Sequence, residues 1–169
     1  RIRLGAFDLR ATRLGTGAFD ESVAPRERLR GVNLSTRTHR GEGGAGFADM
    51  FWMRSDIPDQ RSGRLVGVDA RDSVGLRLWG RRGQVRYDWL ATWQSGRTSD
   101  GRDIAAWGLF AIHGVDILHA RWSPRLTARL DLASGGDSTR ADRSGTFYPL
   151  YASSSHLGEG QFLGLSNLA

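Results

Sequence analysis

Between Arg71 and Gly96 the chain reads RDSVGLRLWGRRGQVRYDWLATWQSG, two alternating segments joined by the glycine-bounded stretch Gly80-Arg81-Arg82-Gly83, which is expected to be a tight turn. Successive side chains of a strand point to opposite faces. Val85, Tyr87, Trp89, Ala91 and Trp93 therefore share one face, and Arg86, Asp88, Thr92 and Gln94 share the other. Before the turn, Val74, Leu76 and Leu78 oppose Gly75, Arg77 and Trp79. Further on, Leu126, Ala128, Leu130 and Leu132 oppose Arg125, Thr127, Arg129 and Asp131. Such a pattern demands a sheet with an apolar medium on one side and water on the other.

A soluble sandwich meets that demand by burying the apolar face against a second sheet. An outer-membrane barrel meets it by turning the apolar face to lipid and lining a wet lumen with the polar one. The chemistry of the faces favours the barrel. The polar face is dominated by Arg with Asp, a pairing that suits a narrow lumen where bidentate bonds satisfy partly desolvated charges. Indole and phenol rings lie on the apolar face, where barrels carry their interfacial girdles. The expected fold is all-β, an antiparallel up-and-down meander forming part of a transmembrane outer-membrane β-barrel, with a soluble β-sandwich that binds acidic carbohydrate as the alternative. Val85, Tyr87, Trp89, Trp93, Leu126 and Leu130 are expected to face lipid, and Arg77, Arg86, Asp88, Arg125, Arg129 and Asp131 to line the lumen.

Candidate strands fall near 2–11, 29–36, 47–54, 66–80, 85–95, 103–117 and 125–133, with another starting near 161, about eight within a single domain over 1–169. A change of phase around Gly5 to Phe7 is expected to mark a bulge or a misplaced strand boundary. No stretch combines helical periodicity with caps at both ends. Long polar loops are expected near 12–28, 55–65 and 134–147, with short turns at Gly41 to Gly46, Gly80 to Gln84 and Arg121 to Pro124. Long and short connections thus fall at opposite ends of the meander, as in outer-membrane barrels. Arg26 and Arg28 are read as exposed loop residues.

The 169 residues include 24 basic ones, all Arg, against 18 acids, for a net charge of +6. That balance invites a polyanion. Nucleic acid would need Arg and aromatics on the same exposed face, whereas in the best strand, Val85 to Gln94, they lie on opposite faces, so no nucleic-acid partner is expected. No Cys is present, which rules out disulfides and thiolate metal sites. No apolar run is long enough for a membrane-spanning helix, so any membrane residence must be as strands. The opening Arg1-Ile2-Arg3-Leu4 lies inside an alternating segment without an export leader, and Gly164-Leu165-Ser166-Asn167-Leu168-Ala169 enters a further apolar stretch. The chain is therefore expected to be a portion of a larger wall.

Several ordered blocks resemble the alginate export family: Arg71 with Gly75-Leu76-Arg77-Leu78-Trp79-Gly80; Tyr87-Asp88 followed by Gln94-Ser95-Gly96; Ile104-Ala105-Ala106-Trp107; Pro124-Arg125-Leu126 leading to Ala133-Ser134-Gly135; and Gly145-Thr146-Phe147-Tyr148-Pro149-Leu150-Tyr151 with His156 and Asn167. Their order across almost the whole chain carries the resemblance. It implies an outer-membrane channel of a Gram-negative bacterium for an anionic polysaccharide or other anionic solute, with outer-membrane lipid and periplasmic export proteins as partners. The family's founding transporters are larger barrels of roughly 18 strands. Where the family commonly has Ser-Gly-Asp, this chain has Ser134-Gly135-Gly136-Asp137, which shifts the acid by one position.

Independently of the resemblance, Arg77, Arg86, Arg125 and Arg129 projecting into one lumen would lower the barrier to an anion, with Asp88 and Asp131 fixing their rotamers. No enzyme, metal or cofactor is expected. His39, His113, His119 and His156 lack ligand spacing, and Ser153-Ser154-Ser155-His156 cannot form an oriented triad within four consecutive residues. No helix follows Gly41-Glu42-Gly43-Gly44 to make a phosphate cradle, and Asp100-Gly101-Arg102-Asp103 lacks a full calcium ladder.

Overall fold

A computed structural model describes residues 2–14, 21–62, 65–117, 124–136 and 142–149. Within them the chain runs as β1 (Ile2–Leu14), β2 (Glu21–Gly41), β3 (Gly44–Ser62), β4 (Leu65–Arg82), β5 (Val85–Arg97), β6 (Asp103–Asp116), β7 (Arg125–Ala133) and the short β8 (Arg143–Ser144). β1 to β7 follow one another as antiparallel neighbours in a single sheet, and β8 lies parallel to β6. Among the described residues there is no helix, and no pairing between β1 and β7 closes the sheet. The expected strand near 161, the residues 118–123 that include most of the Arg121 to Pro124 turn, His119, and Ser153–His156 lie outside the described residues.

Registration converts the period-two pattern into rows that cross the whole sheet. One row reads Leu4, Leu34, Met50, Leu76, Ala91, Leu109, Leu132, each directly opposite the next. The adjacent row on the same face is Ala6, Val32, Trp52, Val74, Trp93, Trp107. Beyond the tryptophans the character changes abruptly to Asp8, Arg30, Arg54 and Asp72. Toward the other end lie Leu78, Trp89, Ala111 and Leu130, then Tyr87 and His113, then Val85, Val115 and Leu126. From Val85 to Trp93 this band covers about 26 Å along the strand, or about 20 Å across a membrane at a tilt near 40°, close to the ~25 Å belt of a barrel.

The polarity of the interior is inverted relative to a soluble domain. The apolar rows are exposed, Leu126 at 71%, while Ser55, Arg71, Ser73, Gln94 and Asp116 are buried and, among the described residues, Ile104 and Ala106 are the only buried hydrophobic ones. No second sheet covers the apolar face among the described residues, so the sandwich alternative finds no partner layer there.

Several local expectations are corrected. β4 continues through Gly80, Arg81 and Arg82, and the turn is Gly83-Gln84, with Gly83 at φ +62. A left-handed residue at that position matches the twist of a two-residue hairpin. Residues expected to loop at 12–28 and 55–65 are largely strand, since β1 reaches Leu14, β2 starts at Glu21, β3 runs to Ser62 and β4 starts at Leu65. Polar side chains do not end a strand while the backbone ladder still has a partner and the side chains still meet water. Arg26 and Arg28 accordingly sit in β2. The bulge expected at Gly5 to Phe7 is absent, because pairing is unbroken from Ile2 to Arg10 and slips between Arg10 and Thr12. That slip leaves residues 24–27, including Pro25, outside the pairing, and a second slip between Ile57 and Gln60 contains Pro58. Proline lacks the amide hydrogen that a ladder needs.

Candidate functional site

The register places Arg77, Arg86, Asp88, Arg125, Arg129 and Asp131 on one face of the sheet and Val85, Tyr87, Trp89, Trp93, Leu126 and Leu130 on the other. The arginines are ordered by carboxylates. Arg77 makes a bidentate fork, Nε to Asp88 Oδ1 at 2.7 Å and Nη2 to Oδ2 at 2.6 Å. Arg129 donates from Nε to both oxygens of Asp131, at 3.0 and 2.8 Å. Arg86 bonds to Asp116 rather than Asp88, at 3.0 Å, and Arg125 donates to the other Asp116 oxygen at 2.6 Å. Arg81 approaches the same carboxylate at 3.9 Å. Asp116 therefore bonds to two arginines and stands near a third at the end of the face where β4 turns into β5, and leaves a local excess of positive charge.

Sequence reasoning missed Asp116. The last residue of β6 faces Arg125 directly and Arg86 diagonally, a proximity visible only once both registers are known.

At the opposite end, the chain after β7 folds back onto the polar face. β8 takes the edge of β6 beyond the end of β7, pairing Asp103 and Ile104 with Arg143 and Ser144. Residues 146–148 then cross over β4 to β6. Gln94 is 1% exposed, and its side-chain amide acts as a rung of the ladder. It donates from Nε2 to the Tyr148 carbonyl at 2.7 Å and accepts the Tyr148 N–H at 3.0 Å. Arg71 donates to the Thr146 carbonyl at 3.1 Å and to Gln94 Oε1 at 3.3 Å, and its guanidinium lies 5.5 Å from the centre of the Tyr148 ring. Phe147 packs on Phe110 at 5.8 Å between centroids, and its N–H reaches the Ser134 carbonyl at 3.0 Å. The loop expected at 134–147 is therefore in part a strap clamped to the sheet, because two buried polar side chains satisfy its backbone groups. Arg71, Gln94, Ile104, Ser134 and Thr146–Tyr148, scattered through the sequence blocks, meet at this clamp.

A third feature lies on the same face. Phe47 and Trp79 stack at 4.4 Å, Arg37 stands 5.8 Å from the Phe47 centroid, and the Trp79 indole donates to Asp49 at 2.6 Å. No cluster of metal-ligating residues occurs among the described residues. The Asp100 carboxylate is engaged by Thr98 and by Arg102, the latter at 2.7 Å, within its own turn.

A family model described as alginate export matches residues 24–169, most of the chain. No curated protein and no solved structure matches it.

Proposed function

Because this chain belongs to the alginate export family, we propose that it forms wall of an outer-membrane channel in a Gram-negative bacterium, passing an anionic polysaccharide of the alginate type, or smaller anionic solutes, along its arginine face. The observation that carries the reading is the inversion of polarity. Exposed apolar rows are bounded by Trp52, Trp93 and Trp107 and then by charge, while the opposite face holds ordered Arg-Asp pairs.

A uronate carboxylate is a planar two-oxygen acceptor that matches the guanidinium fork. Asp88 and Asp131 hold Arg77 and Arg129 in place and temper their charge, so that an anion is attracted without being trapped. The arginines around Asp116 supply a positive field at one end of the face, which would draw an anionic polymer into the path. The strap at Gln94 narrows the path toward the other end.

The test is the reversal potential of the full-length protein in planar bilayers under a salt gradient. Anion preference is expected, and it should fall when Arg77, Arg86, Arg125 and Arg129 are replaced together by Gln. The fall should be larger below 0.1 M salt, where the screening length exceeds about 10 Å. Cation preference in the unmodified channel, or unchanged preference in the folded quadruple variant, refutes the proposal.

A further inference from the structure

One row beyond Val32 and Trp52, on the apolar face rather than the channel face, Arg30 of β2 stands directly opposite Arg54 of β3. Like charges opposed across a strand pair destabilise a sheet, and an anion bound beside them removes that cost. The neighbouring acids are already engaged. Asp8, in register with Arg30 on its other side, forms a fork with Arg28, whose Nε donates to Oδ1 at 2.7 Å. Asp72, in register with Arg54, accepts from its Nη1 at 2.9 Å, and Asp56 accepts from its Nε at 3.4 Å. Arg30 therefore has no carboxylate within 4.0 Å among the described residues, although β2 is paired on both sides. Its Nε is shut off from water without a hydrogen-bond partner. A donor in that state costs free energy, which an external anion that draws the guanidinium outward would recover.

The position of the row indicates what carries the anion. Trp52 and Val32, one row down, are 37% and 43% exposed, and indoles on a lipid-facing wall sit at the level of the headgroups. Rows on one face are two residues, or about 7 Å, apart along the strand. At a tilt near 40° the arginines thus stand about 5 Å further out than Trp52, within a headgroup layer about 5–7 Å thick. Below the charged row, a shallow groove of about 490 Å³ crosses the same face. Its near wall, Val74 and Met50, belongs to the strands of Asp72 and Arg54, and it deepens at Ala91, whose methyl lies between Leu76 and Leu109. An acyl chain gains apolar contact there, whereas a free anion gains nothing.

We infer that Arg30 and Arg54 bind the phosphate of a net-anionic lipid, with one of its acyl chains lying in the groove at Ala91. Arg54 is held in place by Asp72 and Asp56, and Arg30 supplies the charge that the row does not neutralise. A choline headgroup brings its own cation and offsets none of that charge, so a glycerol headgroup is preferred. The inference rests on the lipid-facing part of the reading above and is independent of the cargo.

The experiment titrates the full-length protein in detergent micelles with phosphatidylglycerol, phosphatidylcholine or the acyl-free headgroup glycerophosphoglycerol, and counts bound molecules by native mass spectrometry. Phosphatidylglycerol should fill a saturable site with about fivefold or greater preference over phosphatidylcholine, and the acyl-free headgroup should not displace it. R30Q should raise the apparent Kd for phosphatidylglycerol about fivefold, the effect of one cation at a lipid surface. A91W fills the groove without changing charge and should weaken binding several-fold. D72N releases Arg54 and should tighten it. R97Q removes an equal charge from the same face, where Arg97 is 70% exposed and paired with Asp103, and should leave binding unchanged. Equal retention of phosphatidylcholine, displacement by the headgroup alone, unchanged binding in R30Q or A91W, weaker binding in D72N, or a loss in R97Q as large as in R30Q overturns the inference. Flotation with phosphatidylcholine vesicles tests the wall separately. Protein that does not float refutes the membrane reading and the site with it, whereas protein that floats without preferring phosphatidylglycerol refutes the lipid site alone.

Discussion

Replacing Gln94 by leucine isolates the clamp on the strap. Leucine nearly preserves the volume of a side chain that is 1% exposed, but it can neither donate to the Tyr148 carbonyl nor accept the Tyr148 N–H. Two bonds worth about 1 kcal/mol net each are lost, and while the strap stays docked the backbone groups of Tyr148 are left unsatisfied. The weaker 3.3 Å contacts of Gln94 with Ser73 and Arg71 go as well. Undocking lets water satisfy Tyr148, which caps the penalty at about 2–2.8 kcal/mol, a shift of about 30- to 100-fold in the opening equilibrium. Arg71 retains its bond to Thr146 and its contact with the Tyr148 ring, so docking is weakened without being abolished. Amide hydrogen exchange on the full-length protein reads this directly. The Phe147 amide bonds to Ser134 rather than Gln94, so it reports whether the strap moves as a unit. Both Phe147 and Tyr148 should exchange about 30- to 100-fold faster, with β5 ladder amides unchanged and single-channel conductance raised. Acceleration at Tyr148 alone, or at neither amide, would show that Gln94 does not hold the strap down.

Two further expectations follow from the faces. Ala91→Arg, in the middle of the apolar band, should cost about 2–4 kcal/mol of folding free energy in phospholipid vesicles, and Ser95→Arg, in the row with Asp72 beyond the tryptophans, no more than about 1 kcal/mol; equal costs in a denaturant titration would contradict the placement of the membrane band. Asp116→Asn releases Arg86 and Arg125, so anion over cation permeability should increase, most at low salt. Because those arginines are 44% and 52% exposed, water compensates them and stability should fall by only about 1 kcal/mol; a lowered anion preference would refute the assigned role.

The alternation from Val85 to Gln94 was legible because it is local, and so was the division of Trp89 from Asp88. Partners were less so. Asp88 stands near several arginines in sequence, yet it takes Arg77 and leaves Arg86 to Asp116, because Arg77 lies diagonally across the β4–β5 register while Asp116 reaches Arg86 from β6. β2 and β3 extend beyond the ranges their sequence pattern predicts, since a polar stretch resembles a loop until a partner strand is known to accompany it. The strap resembles a loop in sequence for a related reason. Its backbone is satisfied by Gln94 and Arg71, more than 50 residues away in sequence.

What the sequence by itself determined is which side chains share a face, that one face is apolar and ringed while the other is charged, and that spanning helices are excluded. These follow from the geometry of a single extended strand, whose side-chain period of two needs no partner to express it. Only the tertiary structure decided which residues become neighbours across strands: the row that ends in Trp52, Trp93 and Trp107, the arginines around Asp116, the opposed Arg30 and Arg54 and the clamp of Gln94 on Tyr148. The reason is that register is a collective property of hydrogen-bonded pairs, and a slip of one residue would turn every one of these side chains to the other face.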